Sequence, residues 1–190
     1  MGIAERIKQF LFVTMRVWKY MLLSNCKNVT GKPVLHFPLL LKGKGKIHFG
    51  KNVQNGVIAA QNYYSAHNYI LAMEEESEVI IGDNVVLANG CSLQAVTGIT
   101  IEDNAMIGIN CFLIDTDGHD LSPENRMTGV PKSGKITIKR NVVVYYNSII
   151  FKGVTIGENS VIGSCSVVTK DIPANVFAAG NPARVIRSLT

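Results

Sequence analysis

One spacing constrains this chain more than any other feature: aliphatic residues recur at every sixth position. The longest run starts at residue 138 and consists of Ile138, Val144, Ile150, Ile156, Ile162 and Val168. Small or β-branched residues lie four positions after each of the first five members. Glycine directly follows two members of the run, Ile156 and Ile162. A unit of six residues is too short for a helix pair or a propeller blade, but it suits one short strand and one turn of a parallel β-solenoid.

The same frame appears upstream, which predicts a solenoid of several coils. Further sets begin at Ile81 and Ile101, with a shift of two residues between them, and residues 49–53 match as well. Three units make one triangular coil, and stacked coils bury the aliphatic residues while their backbones pair. The handedness does not follow from the period, because the general rule for parallel crossovers favours the right-handed form.

Length and composition favour a single domain with small appendages. The 190 residues are 47% apolar, which is enough for one buried core. The net charge of +5 suits a polyanionic small molecule, and the repeat region has no basic patch with interleaved aromatic residues, so no nucleic-acid partner is predicted. The four cysteines form no CxxC pair, which indicates reduced thiols and a cytoplasmic protein.

Residues 1–24 predict an amphipathic helix. Its apolar residues recur at steps of three or four, at Ile3, Ile7, Leu11, Met15, Trp18 and Leu22. The uncharged runs are too short to span a membrane, and no cleavage site of a secretory signal follows them. Such a stripe usually packs on the domain or on another subunit. The alternative is attachment to an anionic membrane at its inner face.

The repeat stops over residues 115–137, which are rich in Gly, Pro, Asp and Ser and predict a loop that projects from the solenoid. His119, the only histidine of the repeat region, lies in this loop after Gly118. A lone histidine is more often structural than catalytic. Neighbouring carboxylates would favour a general base, because they could fix its tautomer and raise its basicity. These carboxylates belong to Asp115, Asp117 and Asp120.

Four segments carry a resemblance to a known family: ITIKRN, VTIGEN, SVIGSC and VVTKDIPANVFAAGNPARVIR. They resemble the hexapeptide-repeat acyltransferases, especially the maltose, galactoside and polysaccharide-modifying O-acetyltransferases, over residues 79–187. The resemblance implies a left-handed β-helix, a homotrimer, acetyl-CoA as cosubstrate without a metal, and a sugar-type acceptor with a hydroxyl or amine. We therefore predict an all-β chain with a left-handed β-helix over 25–190, an N-terminal helix over 1–24, and a short C-terminal helix within 172–190.

The resemblance also implies roles for individual residues. His119 matches the general base of the family. An ungapped match to the galactoside-type enzymes places their acceptor-contacting asparagine at Asn89, for which a turn role at a solenoid corner is an equal alternative. Asp117 is a further candidate for an acceptor contact, or else a solvated or capping carboxylate.

For the coenzyme, the family places the pantetheine arm in a groove between adjacent solenoids. The matching residues for that arm are Gly163 and Ser164, and those for the CoA phosphates are Thr169, Lys170 and Arg187, with Arg184 nearby. Positive side chains suit phosphates, although the same residues could decorate a solvated edge. The oxyanion-stabilising amide maps to Tyr146. Here the chain departs from the family, because it has Val-Val-Tyr where the galactoside-type enzymes have Trp-Ile-Gly.

Other functions stay open. A metalloenzyme like the γ-carbonic anhydrases needs about three imidazole ligands per metal, and three of the four histidines precede the main repeat. A catalytically inactive solenoid that binds partners is the other alternative. A covalent acetyl-enzyme is disfavoured, because no histidine adjoins a cysteine of the hexads. Residues 57–78 fit the hexads poorly and predict irregular coils or a loop near the acceptor.

Overall fold

The computed structural model describes residues 2–189 and shows a three-sided solenoid of parallel strands. The helical elements at its start are α1 (Ile3–Gln9), a π-helical turn (Phe10–Thr14) and α2 (Met15–Leu23). The strands are β1 (Asn28–Thr30), β2 (Val34–Leu35), β3 (Leu39–Gly43), β4 (Lys46–Phe49), β5 (Gln54–Asn55), β6 (Asn68–Ala72), β7 (Glu78–Ile81), β8 (Val86–Leu87), β9 (Ser92–Ala95), β10 (Gly98–Ile101), β11 (Met106–Ile107), β12 (Phe112–Ile114), β13 (Ile136–Ile138), β14 (Val143–Val144), β15 (Ile149–Phe151), β16 (Thr155–Ile156), β17 (Val161–Ile162), β18 (Val167–Val168), β19 (Val176–Gly180) and β20 (Ala183–Ser188).

Each of the six complete coils contributes one strand to each of three sheets, and β19 and β20 extend the second sheet. Sheet A has the order β1-β4-β7-β10-β13-β16, sheet B has β2-β5-β8-β11-β14-β17-β19-β20, and sheet C has β3-β6-β9-β12-β15-β18. The chain passes from A to B to C and then begins the next coil. We name the three edges of this prism the A–B, B–C and C–A edges, after the sheets that the chain connects there.

The hexad residues form stacked ladders inside the prism. Ile101, Ile138 and Ile156 occupy matching positions in successive strands of sheet A, and each is fully buried. Val144 and Ile162 stack in the same way in sheet B. The predicted inward position of every sixth residue is thus confirmed. Each fully buried Val or Ile stabilises the fold by roughly 1.5–3 kcal/mol.

The two-residue shift in the repeat has a local cause at the C–A edge. Ile81 pairs with Ile101, 20 positions later, whereas Ile138 pairs with Ile156, 18 positions later. The longer coil turns at residues 96–98, over the buried carboxylate of Asp115. That carboxylate accepts three backbone N–H groups and the Thr97 hydroxyl, all at 2.7 Å. The extra residues therefore keep their polar groups paired.

Asparagines with left-handed backbone mark the A–B edge. Their φ angles lie between 55° and 60°, a region that asparagine tolerates better than most residues, and they are Asn52, Asn84, Asn104, Asn141, Asn159 and Asn175. Side-chain amides link them along the edge: Asn141 donates to Asn159 and Asn159 donates to Asn175, each at 2.9 Å. From β4 to β17, every link across this edge has four residues, as in 82–85.

The N-terminal helix is anchored to a loop of the solenoid. Residues 56–67 leave the B–C edge between β5 and β6, and the predicted irregularity of residues 57–78 is largely this loop. Val13 of the helix is buried against Phe37 and Tyr63. The Arg16 guanidinium donates to the carbonyl oxygens of Tyr63, at 3.2 Å, and of Ala66.

The apolar stripe of the helix faces away from this contact. Its members are 47% to 86% exposed, and they are Ile3, Ile7, Leu11, Met15, Trp18 and Leu22. The stripe therefore does not pack on the domain in the single chain, and packing on another subunit stays a prediction. No helix within residues 2–189 has the length and hydrophobicity required to cross a lipid bilayer.

The predicted C-terminal helix is also wrong, because β19 and β20 form an antiparallel hairpin there. Strand β19 continues sheet B, with Phe177 beside Val161 of β17. A helix would leave the edge of β17 unpaired, whereas the hairpin satisfies its backbone groups. Gly180 has a φ of +106° before the connection to β20, a conformation that favours glycine.

The asparagine ladder predicts different costs for two substitutions at one position. Asn159→Ala should lower the free energy of unfolding by about 2 kcal/mol or more, because it combines the left-handed backbone penalty with the loss of two hydrogen bonds. Asn159→Gly loses the same bonds without the penalty and should cost roughly 1 kcal/mol less. Urea unfolding followed by circular dichroism measures both. Equal losses in the two variants would contradict the backbone explanation.

Candidate active site

The interrupted repeat forms a loop that projects from the C–A edge between β12 and β13. Its neck is closed by a bridge between Thr116 and Ser133 and by a hydrogen bond from the Asp117 N–H to the Lys132 carbonyl oxygen, at 2.9 Å. The predicted loop over 115–137 is thus present, and β13 resumes at Ile136. The closed neck fixes where the loop leaves the solenoid.

His119 lies exposed near the start of this loop. It follows Gly118, whose φ is +75° and whose N–H donates to the Thr116 hydroxyl at 3.1 Å. A Cβ atom at Gly118 would meet no atom within 4 Å, so the left-handed backbone, and not space, is what favours glycine. Within residues 2–189, no group is hydrogen-bonded to the His119 ring. The imidazole is open to a ligand from outside the chain.

The three nearby carboxylates are engaged elsewhere, so the prediction that they orient the imidazole is wrong for the single chain. Asp115 binds the backbone of residues 96–98. Asp120 accepts the Ser122 N–H at 2.8 Å, as a turn carboxylate does. Asp117 forms an ion pair with Lys152 through Oδ1.

One oxygen of the Asp117 carboxylate takes no part in the ion pair. Asp117 Oδ2 is buried and has no hydrogen-bond partner among the described residues. Sequence reasoning missed Lys152, although the 18-residue period could have revealed it: Lys152 lies one coil before Lys170 at the same edge. The C–A edge therefore carries two lysines at matching positions of successive coils, and Lys152 contacts the histidine loop.

Asn89 is fully buried at the B–C edge. Its side-chain oxygen accepts the Val57 N–H at 2.9 Å, and its amide nitrogen donates to the carbonyl oxygens of Val57 and Gln61, both at 3.1 Å. The amide thus ties the loop 56–67 to the solenoid, which is the turn role considered as the alternative. For the Asn89 side chain to contact an acceptor, it would have to give up hydrogen bonds to the loop 56–67.

The residues matched to the pantetheine arm also lie at the B–C edge. Ser164 is exposed, while Gly163 is buried and its N–H donates to the Ala178 carbonyl oxygen at 2.8 Å. The Tyr146 N–H has no hydrogen-bond partner in the part of the chain described. Both Tyr145 and Tyr146 line an apolar pocket of about 220 Å³.

The residues matched to the CoA phosphates are exposed at two places. Thr169 and Lys170 lie at the C–A edge after β18. Arg187 lies on β20, with its guanidinium carbon 5.9 Å from the centre of the Phe177 ring. Arg184 is exposed on the same strand. Two wider grooves, of about 590 and 600 Å³, lie over the first coils and include none of these residues.

Comparisons with known proteins agree with the repeat. A family model described as "Hexapeptide repeat of succinyl-transferase" matches residues 79–95 and 135–170. These two segments thus carry the hexapeptide repeat. The chain is 38% identical over 141 residues to the galactoside O-acetyltransferase of Escherichia coli (strain K12). The aligned residues make up 74% of this chain and 56% of that protein. The chain spans about half the length of the curated relatives it matches.

Solved structures give the same result for the fold. A hexapeptide-repeat acetyltransferase from Vibrio cholerae O1 biovar eltor, complexed with acetyl coenzyme A, has 26% identity and a TM-score of 0.63, and the match covers 75% of this chain and 71% of that one. A galactoside acetyltransferase in complex with coenzyme A has 27% identity and a TM-score of 0.60, with 100% and 92% covered. The predicted left-handed β-helix and the family resemblance are confirmed.

A single hexapeptide-repeat chain does not bring the candidate residues together. His119 and Lys170 lie at the C–A edge, whereas Asn89, Tyr146 and Ser164 lie at the B–C edge. One face of the prism, sheet C, separates the two groups. A complete site from all of these residues therefore requires two solenoids side by side.

The buried cysteines are poor nucleophiles. Burial raises the pKa of the Cys111 thiol to about 11 and raises that of Cys91 well above its usual range. Their sulfur atoms lie 3.1 Å from the carbonyl oxygens of Tyr145 and Gly108. Because the thiolate is the reactive form, these residues do not suit acyl transfer. Within residues 2–189, no group of three or more His, Cys, Asp or Glu side chains is placed to hold a metal ion.

Asp115 provides a test of how the histidine loop is supported. Asp115→Ala should lower the free energy of unfolding by roughly 3 kcal/mol or more, because it leaves three N–H groups, one buried and two part-buried, without an acceptor. Asp115→Asn keeps the shape but turns an amide donor toward these N–H groups, and we expect a loss of about 2 kcal/mol. Chemical denaturation measures both, with Asp120→Asn as the control. A loss below about 1 kcal/mol in both variants would show that the carboxylate is not the support.

Proposed function

We propose that this protein transfers an acetyl group from acetyl-CoA to a hydroxyl group of a sugar, sugar nucleotide or glycan precursor. The observation that carries the proposal is the exposed imidazole of His119 on a fixed loop of a hexapeptide-repeat solenoid. The similarity to galactoside acetyltransferases supports a sugar-type acceptor. The complexes of two related structures with acetyl-CoA or CoA support the donor.

Acetyl transfer needs a base for the acceptor hydroxyl and a hydrogen-bond donor for the oxyanion. A ring nitrogen of His119 takes the proton from the acceptor hydroxyl while the oxygen attacks the thioester carbonyl carbon. The N–H of Tyr146, which lies at the B–C edge and has no partner among residues 2–189, would donate to the developing oxyanion. The carbon–sulfur bond then breaks, and the imidazolium returns the proton to the CoA thiolate. This direct transfer involves neither an acetyl-enzyme nor a metal.

We propose a homotrimer in which the site lies between subunits. The C–A edge of one copy would supply His119 and Lys170, and the B–C edge of the next copy would supply Tyr146, Gly163 and Ser164. Heterologous contacts of this kind close into a ring with identical sites. Lys170 and Arg187 on β20 would supply positive charges to the phosphates of CoA, and Thr169 would supply a hydroxyl group. Asn89 and Asp117 remain candidates for the acceptor side.

The base is tested by His119→Gln, which removes the proton acceptor while keeping a polar side chain of similar size. We expect acceptor-dependent thiol release from acetyl-CoA, expressed as kcat/KM, to fall by roughly a hundredfold or more. His48→Gln is the matched control, because His48 lies on β4 and bonds Thr30. A panel of sugars and sugar nucleotides supplies the acceptors. Equal activity of His119→Gln and the native protein would remove His119 from the mechanism.

The shared site predicts complementation between two inactive variants. His119→Gln damages the C–A edge, and Ser164→Trp blocks the B–C edge at an exposed position. Random mixing in trimers would leave about a quarter of the sites with two native edges, so the mixture should recover up to that share of activity. Different affinity tags verify that mixed trimers form. Mixed trimers without recovered activity would rule out a site shared between subunits.

One observation favours a second candidate, an inactive solenoid that binds acetyl-CoA or a partner. None of the carboxylates beside His119 holds its ring in the described chain. Isothermal titration with acetyl-CoA separates the candidates. Tight binding without acetyl transfer to any acceptor of the panel would favour the binding protein, and turnover would exclude it.

A further inference from the structure

The helical segment 2–23 presents a continuous apolar face to the outside of the molecule. Leu22 is 86% exposed, Ile3 is 80% exposed and Trp18 is 57% exposed, whereas Val13 on the opposite side is 2% exposed. Phe10 adds to the outer face, with its ring in an edge-to-face contact with Trp18 at 5.8 Å. We call this face the outer stripe; it consists of Ile3, Ile7, Phe10, Leu11, Met15, Trp18 and Leu22. Exposed apolar areas of this extent mark interaction surfaces.

The local geometry keeps the outer stripe on one side of the helix. Between Ile3 and Met15 its main residues are spaced by four, and such a row drifts by about 40° per step around an α-helix with 3.6 residues per turn. The π-helical turn at Phe10–Thr14 contains more residues per turn and so reduces the drift in the middle of the segment. The helix thus aligns these side chains on one side, and none of them belongs to the two buried clusters of the described residues.

The charges around the stripe are mainly positive. Arg6, Lys8 and Lys19 are exposed on the helix, and the only acidic residue there is Glu5, 3.7 Å from Lys8. The stripe itself contains no charge. A second copy of this face would bring like charges together, whereas a surface with negative groups at the rim and apolar chains beneath would match both features.

We propose that segment 2–23 lies flat on an anionic lipid bilayer, with the outer stripe inserted among the acyl chains and the lysines and arginine at the headgroups. Aromatic side chains such as Trp18 are favourable at this depth, because their rings are amphipathic. No helix in residues 2–189 can span a bilayer, so the contact is interfacial. This proposal does not depend on acetyl transfer.

The attachment of the helix to the solenoid would fix the orientation of the whole protein on the bilayer. Gln9 and the Tyr63 hydroxyl are 2.8 Å apart, and the rings of Tyr20 and His67 are stacked at 4.2 Å. Tyr64 of the same loop is 50% exposed beside Phe12. The loop belongs to the second coil, so the N-terminal end of the solenoid would be the part nearest to the lipid.

The test is sedimentation of the full-length protein with vesicles. Vesicles of phosphatidylglycerol and phosphatidylethanolamine provide the anionic surface, and vesicles of phosphatidylcholine provide the neutral one. We expect binding to the anionic vesicles that weakens with added salt, and at least tenfold weaker binding to the neutral vesicles. Equal binding to both, or no binding to either, would overturn the proposal.

Two sets of variants identify the surface. Trp18→Gln with Leu22→Gln removes apolar area without a change of charge and should weaken binding to the anionic vesicles by at least about tenfold. Met73→Gln, at an exposed apolar position of the solenoid, is the matched control and should bind like the native protein. Lys8→Gln with Lys19→Gln should lessen the preference for anionic lipid. Unchanged binding of the Trp18 and Leu22 variant would overturn the assignment.

Parallel measurements separate this proposal from the others. Circular dichroism verifies folding, and acetyl transfer to a water-soluble acceptor should be unchanged in the helix variants, because the replaced side chains lie outside the candidate site. Light scattering reports whether the stripe is instead covered by another copy. A change of oligomeric state on Trp18→Gln with Leu22→Gln, without vesicle binding by the native protein, would overturn the proposal in favour of self-association.

Discussion

The fold depends on the register between successive coils. Each strand finds its hydrogen-bonding partner in the strand one coil away, and the same register stacks Ile101, Ile138 and Ile156 in the interior. Both requirements are met only if the chain returns to the same position after each coil. Everything that is not repetitive must therefore leave at an edge, as the histidine loop does at the C–A edge. The position of the candidate base follows from this constraint.

Sequence reasoning succeeded where the information is periodic. The hexads predicted the inward residues, the strands that contain them and the loop over 115–137, because one rule repeated in every coil. It failed at the C-terminal hairpin, and it predicted the N-terminal helix but not that the apolar stripe faces away from the solenoid. The β19–β20 pairing depends on the open edge of β17, and the direction of the stripe depends on the loop 56–67 that anchors its opposite side. Neither partner is near in sequence.

The candidate site shows the same division. His119 was placed from its local setting, and the structure gives it the expected projecting loop. Its carboxylate partners were misassigned, because Asp115 bonds residues of the preceding coil and Asp117 bonds Lys152 of the next coil. In a solenoid, neighbours in space are about 18 residues apart, so adjacency in sequence is a weak guide to side-chain pairs. The separation of the candidates onto two edges became visible only from the topology.

The asparagine ladder bears on how such a chain can change length over evolutionary time. Each of its amides depends on asparagines one coil away, so adding or removing a single residue at the A–B edge would misplace the ladder there and in the adjoining coils. Both loops of this chain emerge at the other two edges. Descendants of such a sequence can be expected to grow by whole coils, through duplication, or by new loops at the B–C and C–A edges. The ladder would thus confine new binding surfaces to the edges where the candidate site already lies.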